Sequence, residues 1–259
     1  MRLSKKDIII TAILFALCIV SFFIFELTPI KFFEDVDLNS MFSKTMLRLV
    51  CCLLIIYLIS LTISKEFFDI RNGGLIGLAW SVPCLLVAFA NLPFEGLINK
   101  SIYFTKSDYI FLYISLIIST SLMEELLFRG LILSFLLRGD FFKKYPYFLT
   151  VIISSAIYSL YHFTNILYGA NILDTLMQVG YTFLIGCMLS TVYLKTNNIW
   201  ICILIHAIFD FGGMLTHYVA EGNPWAIPSF WIATIVCGVF CAVHVVMTLV
   251  KMERRNVSW

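Results

Sequence analysis

Eight apolar stretches constrain this chain more than any other feature. They run over Ile8–Leu27, Met46–Ser64, Gly73–Asn91, Tyr109–Leu137, Tyr147–Leu167, Leu176–Lys195, Ile199–Val219 and Ile227–Val250. Each is near or above the roughly 20 residues needed to cross about 30 Å of hydrocarbon. Of the 259 residues, 61% are hydrophobic and 13% charged, against a soluble norm near 25% charged. A soluble domain could not hide that much apolar surface. The period-two alternation of a membrane β-barrel is missing. The expected fold class is therefore all-α: a polytopic membrane helical bundle of about eight transmembrane helices, forming one domain over residues 1–259.

Lys and Arg placement sets the expected orientation. With an even number of spans both termini share a side. The cytoplasmic assignment collects Arg2, Lys5, Lys6, Lys65, Arg71, Arg138, Lys143, Lys144, Lys195, Lys251, Arg254 and Arg255 there. It leaves Lys31, Lys44, Arg48, Lys100 and Lys106 outside, as the positive-inside rule favours. The expected location is the cell membrane, multi-pass, with both termini cytoplasmic. The first span lacks a small-residue cleavage site and is too long for a signal h-region, so it is read as retained. A net charge of +2, with no basic patch interleaved with aromatics, gives no reason to expect nucleic acid; membrane lipids are the expected surroundings. All eight cysteines fall in predicted spans, where they act as small apolar residues rather than a disulfide framework or thiolate metal site. Gly73 and Gly77 form a GxxxG step suited to close helix packing. The gaps Thr28–Thr45 and Leu92–Asp108 are expected to be an interfacial loop and a segment lying on the outer surface.

Against this apolar background, Glu124, Glu125 and Arg129 stand inside the fourth span. Ionised groups at that depth cost about 2.5–3.5 kcal/mol each on insertion scales. Glu125 and Arg129 are spaced i, i+4 with the acid first, the favourable order for an ion pair on one helix face. Glu124 is rotated about 100° from Glu125. The expected division is Glu125 structural, held by Arg129, and Glu124 free and facing the bundle interior. The plainer alternative is one structural charge network, or a gate. The fifth span adds Tyr158 one turn before His162. The seventh places His206 and Asp210 at i, i+4. A lone helical histidine is more often a satisfied core residue than a ligand, and His217 and His244 are left there. Two histidines and two acids on three separate spans are harder to dismiss.

An EExxxR helix, an aromatic-xxxH helix and an HxxxN/D helix, in that order, resemble the CAAX-protease and bacteriocin-processing (CPBP, or Abi) family, intramembrane endopeptidases related to type II CAAX prenyl proteases. The likeness covers about 107–214, taken as the catalytic core. Tyr158 departs from the family's usual Phe, and Asp210 stands at an Asn-or-Asp position. The resemblance implies hydrolysis of a membrane-associated or lipid-modified peptide. Glu124 would be the general base and His162 would position water. His206 would donate to the oxyanion, and Asp210 would fix the His206 tautomer, with Glu125, Arg129 and Tyr158 in support. It also implies the family's metalloendopeptidase label, with Glu124, His162 and His206 as a two-His, one-carboxylate zinc set. The HExxH pairing of common zinc proteases is absent, and a metal-free glutamate mechanism is the working expectation. A bacterial source is expected from the heavy use of Ile, Phe, Lys and Asn.

Two rival functions stand beside the protease. One is a non-proteolytic relative acting in bacteriocin self-immunity or sensor regulation. The other is a proton-coupled carrier, disfavoured by the expectation that no span is broken by Gly or Pro. Counting 1.5 Å per residue, Glu124 and His162 lie roughly 20 Å from the cytoplasmic ends but His206 only about 10 Å. The three can meet only if the Thr196–Asn198 turn is recessed, the boundaries differ, or helix tilt narrows the gap.

Overall fold

The computed structural model describes residues 30–63, 65–139 and 141–257; the predicted span Ile8–Leu27, and Cys18 within it, lie outside the described residues. The first described helix, α1, covers Val36–Thr62 and begins well before Met46. Asp35 caps it, accepting from the Leu38 N–H at 2.7 Å, so most of the expected Thr28–Thr45 loop is helix. Hydropathy falls at Lys44 and Arg48 and hides this start, whereas a capping carboxylate marks it directly.

The third predicted span is broken. Helix α2, Gly74–Trp80, stops at Ser81, and α3, Val82–Ala90, starts afresh with a proline in its first turn. Pro83 brings no N–H, which costs nothing only at a helix start. The expectation of unbroken spans is corrected here. The fourth span is α5, Ile110–Glu125, continued by a wide π-helical stretch, Leu126–Leu133, and by α6, Ser134–Arg138. Helix α7, Pro146–Tyr161, tightens into a 3-10 stretch over His162–Tyr168. Then come α8, Ile172–Thr196, and α9, Ile199–Gly213. The short α10, Leu215–Tyr218, and the long α11, Pro228–Val257, complete the chain. Five of these stretches are long and apolar enough to cross a membrane, and α9 is apolar but shorter. The protein is a polytopic all-α bundle, with five full-length spans among the described residues rather than the seven expected there.

The segment after α3 is folded onto the bundle end rather than lying flat. Its short helix α4, Phe94–Ile98, and strand β1, Tyr103–Phe104, lead to an antiparallel pairing with β2, Ala220–Glu221, Tyr103 opposite Glu221 and Phe104 opposite Ala220. Ile102 is buried, and Lys106 pairs with Asp37 of α1. At the opposite, basic end, Asn198 donates from Nδ2 to the Ile70 and Asn72 carbonyls at 2.9 and 2.6 Å. Trp200 Nε1 reaches the Phe68 carbonyl at 2.9 Å. In the same turn the Arg71 guanidinium and backbone N–H hold the Asp69 carboxyl down at about 2.

Small residues let the helices close on one another, as packing without a solvent driving force requires. A side-chain carbon on Gly186 of α8 would lie 2.9 Å from Ser155 Cβ of α7. One on Gly130 would lie 2.7 Å from Ile59 Cδ1 of α1. Gly73 and Gly77 both abut Thr196, which gives the GxxxG step its packing partner. The span built on α5 and α6 is the most enclosed of the five: 61% of its apolar stretch is buried, against 22–33% for the others.

Candidate active site

The ionised residues of this enclosed span are buried, with Glu124 6%, Glu125 0% and Arg129 1% exposed. Leaving a buried ion unpaired costs several kcal/mol. Arg129 Nη1 accordingly donates to Glu125 Oε1 at 2.8 Å, and Nη2 to the Gly186 carbonyl at 3.2 Å. The guanidinium also lies over the Tyr158 ring, 4.8 Å from its centroid. The site sits where the helix passes from α to π form, a distortion common at functional positions.

His206 of α9 joins the cluster from the facing side. Its Nδ1 is 2.7 Å from Glu125 Oε1. Its Nε2 faces three groups: the Tyr158 hydroxyl at 3.4 Å, Asp210 Oδ2 at 3.4 Å and Glu124 Oε2 at 3.8 Å. A carboxylate on one ring nitrogen fixes the tautomer and the direction of the other. On Nδ1 that carboxylate is Glu125, where the sequence reading gave the part to Asp210. Glu125 is thus shared between Arg129 and His206, while Glu124 accepts no hydrogen bond among the described residues.

His162 begins the 3-10 stretch after α7, and its ring stands edge-on to Tyr158 with centroids 5.2 Å apart. It is 9% exposed, and its Nε2 has no hydrogen-bond partner. It makes no ion pair with Glu124 among the described residues; Tyr158 stands between the two histidines, packed against both. Glu124, Glu125, Arg129, Tyr158, His206 and Asp210 therefore meet directly, and His162 joins them through Tyr158. His206 reaches the acids from a helix whose entry turn, at Thr196 and Asn198, is buried under the segment that holds Ile70 and Asn72. At the other end of α9, Asn91 Nδ2 donates to the Phe209 carbonyl at 2.7 Å and the Tyr113 hydroxyl donates to that of Phe211 at 2.6 Å.

Among the described residues no three His, Cys, Asp or Glu side chains form a group that could hold a metal ion. Glu124, His162 and His206 do not stand as the converging ligands that zinc requires.

Sequence reasoning missed Arg48. Read as an outer-side charge, it lies near the middle of the span Val36–Leu61. It shares a helix face with buried Met41, Thr45, Cys52 and Ile55. Its Nε and Nη1 are shielded without a hydrogen-bond partner, and it is among the charges that act on Asp210. The signal available was the Asp35 cap, which counts Arg48 about 18 Å into the helix.

Fold and site define a polytopic helical membrane protein with an acid–imidazole cluster enclosed by its helices. Residues 106–212 match the family model described as type II CAAX prenyl endopeptidase Rce1-like, so that segment is similar to the CAAX-protease (CPBP) family. Searches of curated proteins and of solved structures return no match.

Proposed function

We propose that this protein is an intramembrane endopeptidase that hydrolyses a peptide bond of a membrane-associated or lipid-modified peptide, using Glu124 and not a metal to activate water. The observation that carries the reading is the unequal fate of two adjacent carboxylates. Glu125 is committed to Arg129 and His206, while Glu124 is buried beside His206 Nε2 with no hydrogen bond of its own. A carboxylate whose oxygens accept no hydrogen bond is left able to take a proton from water.

In this reading water between Glu124 and His162 loses a proton to Glu124 as its oxygen bonds to the scissile carbonyl carbon. The carbonyl oxygen becomes an oxyanion and is met by N–H of the doubly protonated His206 ring at Nε2, whose Nδ1–H is held by Glu125. Such a donor, already aimed, stabilises charge where it develops. Glu124 then passes its proton to the leaving nitrogen as the C–N bond breaks. Tyr158 keeps both rings in place, and Asp210 faces the same Nε2. The proposed setting is the cell membrane with both termini cytoplasmic.

The test is cleavage of candidate leader and lipid-anchored peptides by purified protein in liposomes, read by mass spectrometry with and without a strong chelator. Wild-type cleavage that persists under chelation and vanishes in Glu124→Gln is the expected result. Cleavage abolished by chelator and restored by zinc overturns the metal-free assignment. Cleavage undiminished in Glu124→Gln overturns the role of Glu124.

A further inference from the structure

Away from the Glu124 cluster, a cavity of about 370 Å³ opens between α2, α8 and α11 at the basic end of the bundle. Volumes of roughly 300–1,000 Å³ are those of ligand sites. Lys195, Lys251 and Arg255 line it from two helices, together with Trp80, His244 and Met247, and no carboxylate contributes to the wall. Neither Lys195 nor Lys251 forms an ion pair among the described residues. The acid on the last turns of α11, Glu253, is buried, its Oε1 accepts from the Phe148 N–H at 2.7 Å, and it does not line the cavity. In the same wall, Trp80 packs on His244 with ring centroids 4.4 Å apart, and His244 Nε2 is shielded without a partner.

The two lysines, like charges on one concavity, repel unless an anion joins them. The apolar side of the same site continues outward: Val243, Val246, Met247 and Val250 are exposed along α11, and that face meets lipid chains. A ligand fitting both parts has an anionic phosphoryl group at the mouth and hydrocarbon along the helix. Basic pockets between spans at a membrane surface take such headgroups.

We propose that this cavity binds a phosphate group, supplied by the headgroup of an anionic phospholipid whose chains lie along α11. The site is independent of the proteolytic reading and needs no knowledge of the substrate.

The experiment uses the purified full chain in neutral detergent, with binding read by native mass spectrometry and by the thermal unfolding midpoint. Three probes are compared: dioleoyl phosphatidylglycerol, dioleoyl phosphatidylcholine and sodium phosphate. Phosphatidylglycerol is expected to bind about tenfold or more tighter than phosphatidylcholine and to raise the midpoint. Lys195→Gln, Lys251→Gln and Arg255→Gln should each weaken it about fivefold, while Lys143→Gln, a cation outside the cavity, leaves it unchanged. All four positions are exposed, so the variants fold. Equal binding of the two lipids, or a phosphatidylglycerol preference that survives the three cavity substitutions, overturns the site. A midpoint shift from sodium phosphate that needs Lys195, without lipid discrimination, overturns the lipid assignment and leaves a small-anion pocket.

Discussion

The spans Ser107–Arg138 and Pro228–Arg255 are of similar length, 32 and 28 residues, yet the first has 61% of its apolar stretch buried and the second 22%. The first carries two acids and an arginine at membrane depth. The second presents Val236, Val239, Phe240, Val243 and Val246 outward and keeps its Lys and Arg at the end. The difference teaches that the tolerance of a span for charge is set by what surrounds it. Inside the ring made by α1, α7, α8 and α9, each ion can find a guanidinium, an imidazole or a carbonyl. On the lipid-facing helix it finds none.

Four tests would break or sharpen that contrast. The largest effect is expected from Glu124→Gln, which keeps the shape and removes the proposed base. Peptidase activity should fall by about 10²–10⁴-fold while folded protein in membranes is unchanged; loss of the folded protein instead would place Glu124 among the structural ions. Arg129→Ala strands Glu125 and should cost about 3–5 kcal/mol of stability, read as a lower unfolding midpoint and lower abundance. Pairing it with Glu125→Leu should restore much of the folding but not the activity, because His206 loses its Nδ1 partner. Unchanged abundance in the single variant would sink this division of labour.

Val239→Arg puts a charge near the middle of the exposed span, where insertion should become about 2.5–3.5 kcal/mol less favourable. A glycosylation-reporter insertion assay checks it, and an undisturbed insertion would show that α11 has a polar neighbour. Smallest is Gly130→Ala, which must displace Ile59 and Phe67. An overpacking cost of about 1–3 kcal/mol is expected, visible as a modest drop in midpoint; a neutral result would mean that α1 can shift without penalty.

The i, i+4 spacing of Glu125 and Arg129 was enough to predict their ion pair, because helix geometry is local. The same holds for the rotation that separates Glu124 from Glu125. The sharing of Glu125 with His206 was not legible, since it depends on how α9 is set against α5. Asp210 was given that part because it lies one turn away in sequence; the fold supplied a nearer carboxylate on Nδ1 from another helix. Arg48 was hidden for a different reason. A hydropathy window averages a charge into the loop beside it, whereas the Asp35 cap starts the helix early and carries Arg48 to mid-span. The break at Ser81 was signalled by Pro83 and overlooked because the flanking residues are uniformly apolar.

Composition and periodicity alone determined that this chain is an all-α membrane bundle, because about 20 apolar residues in hydrocarbon leave the backbone no other way to satisfy its hydrogen bonds. They also determined which residues are costly enough at depth to matter. Only the tertiary structure decided that Glu125 is shared with a second helix, which nitrogen of His206 is held, and how a helix that starts near the basic end brings its histidine to the acids. Those outcomes rest on contacts between spans far apart in sequence, and spacing within a single helix carries no information about them.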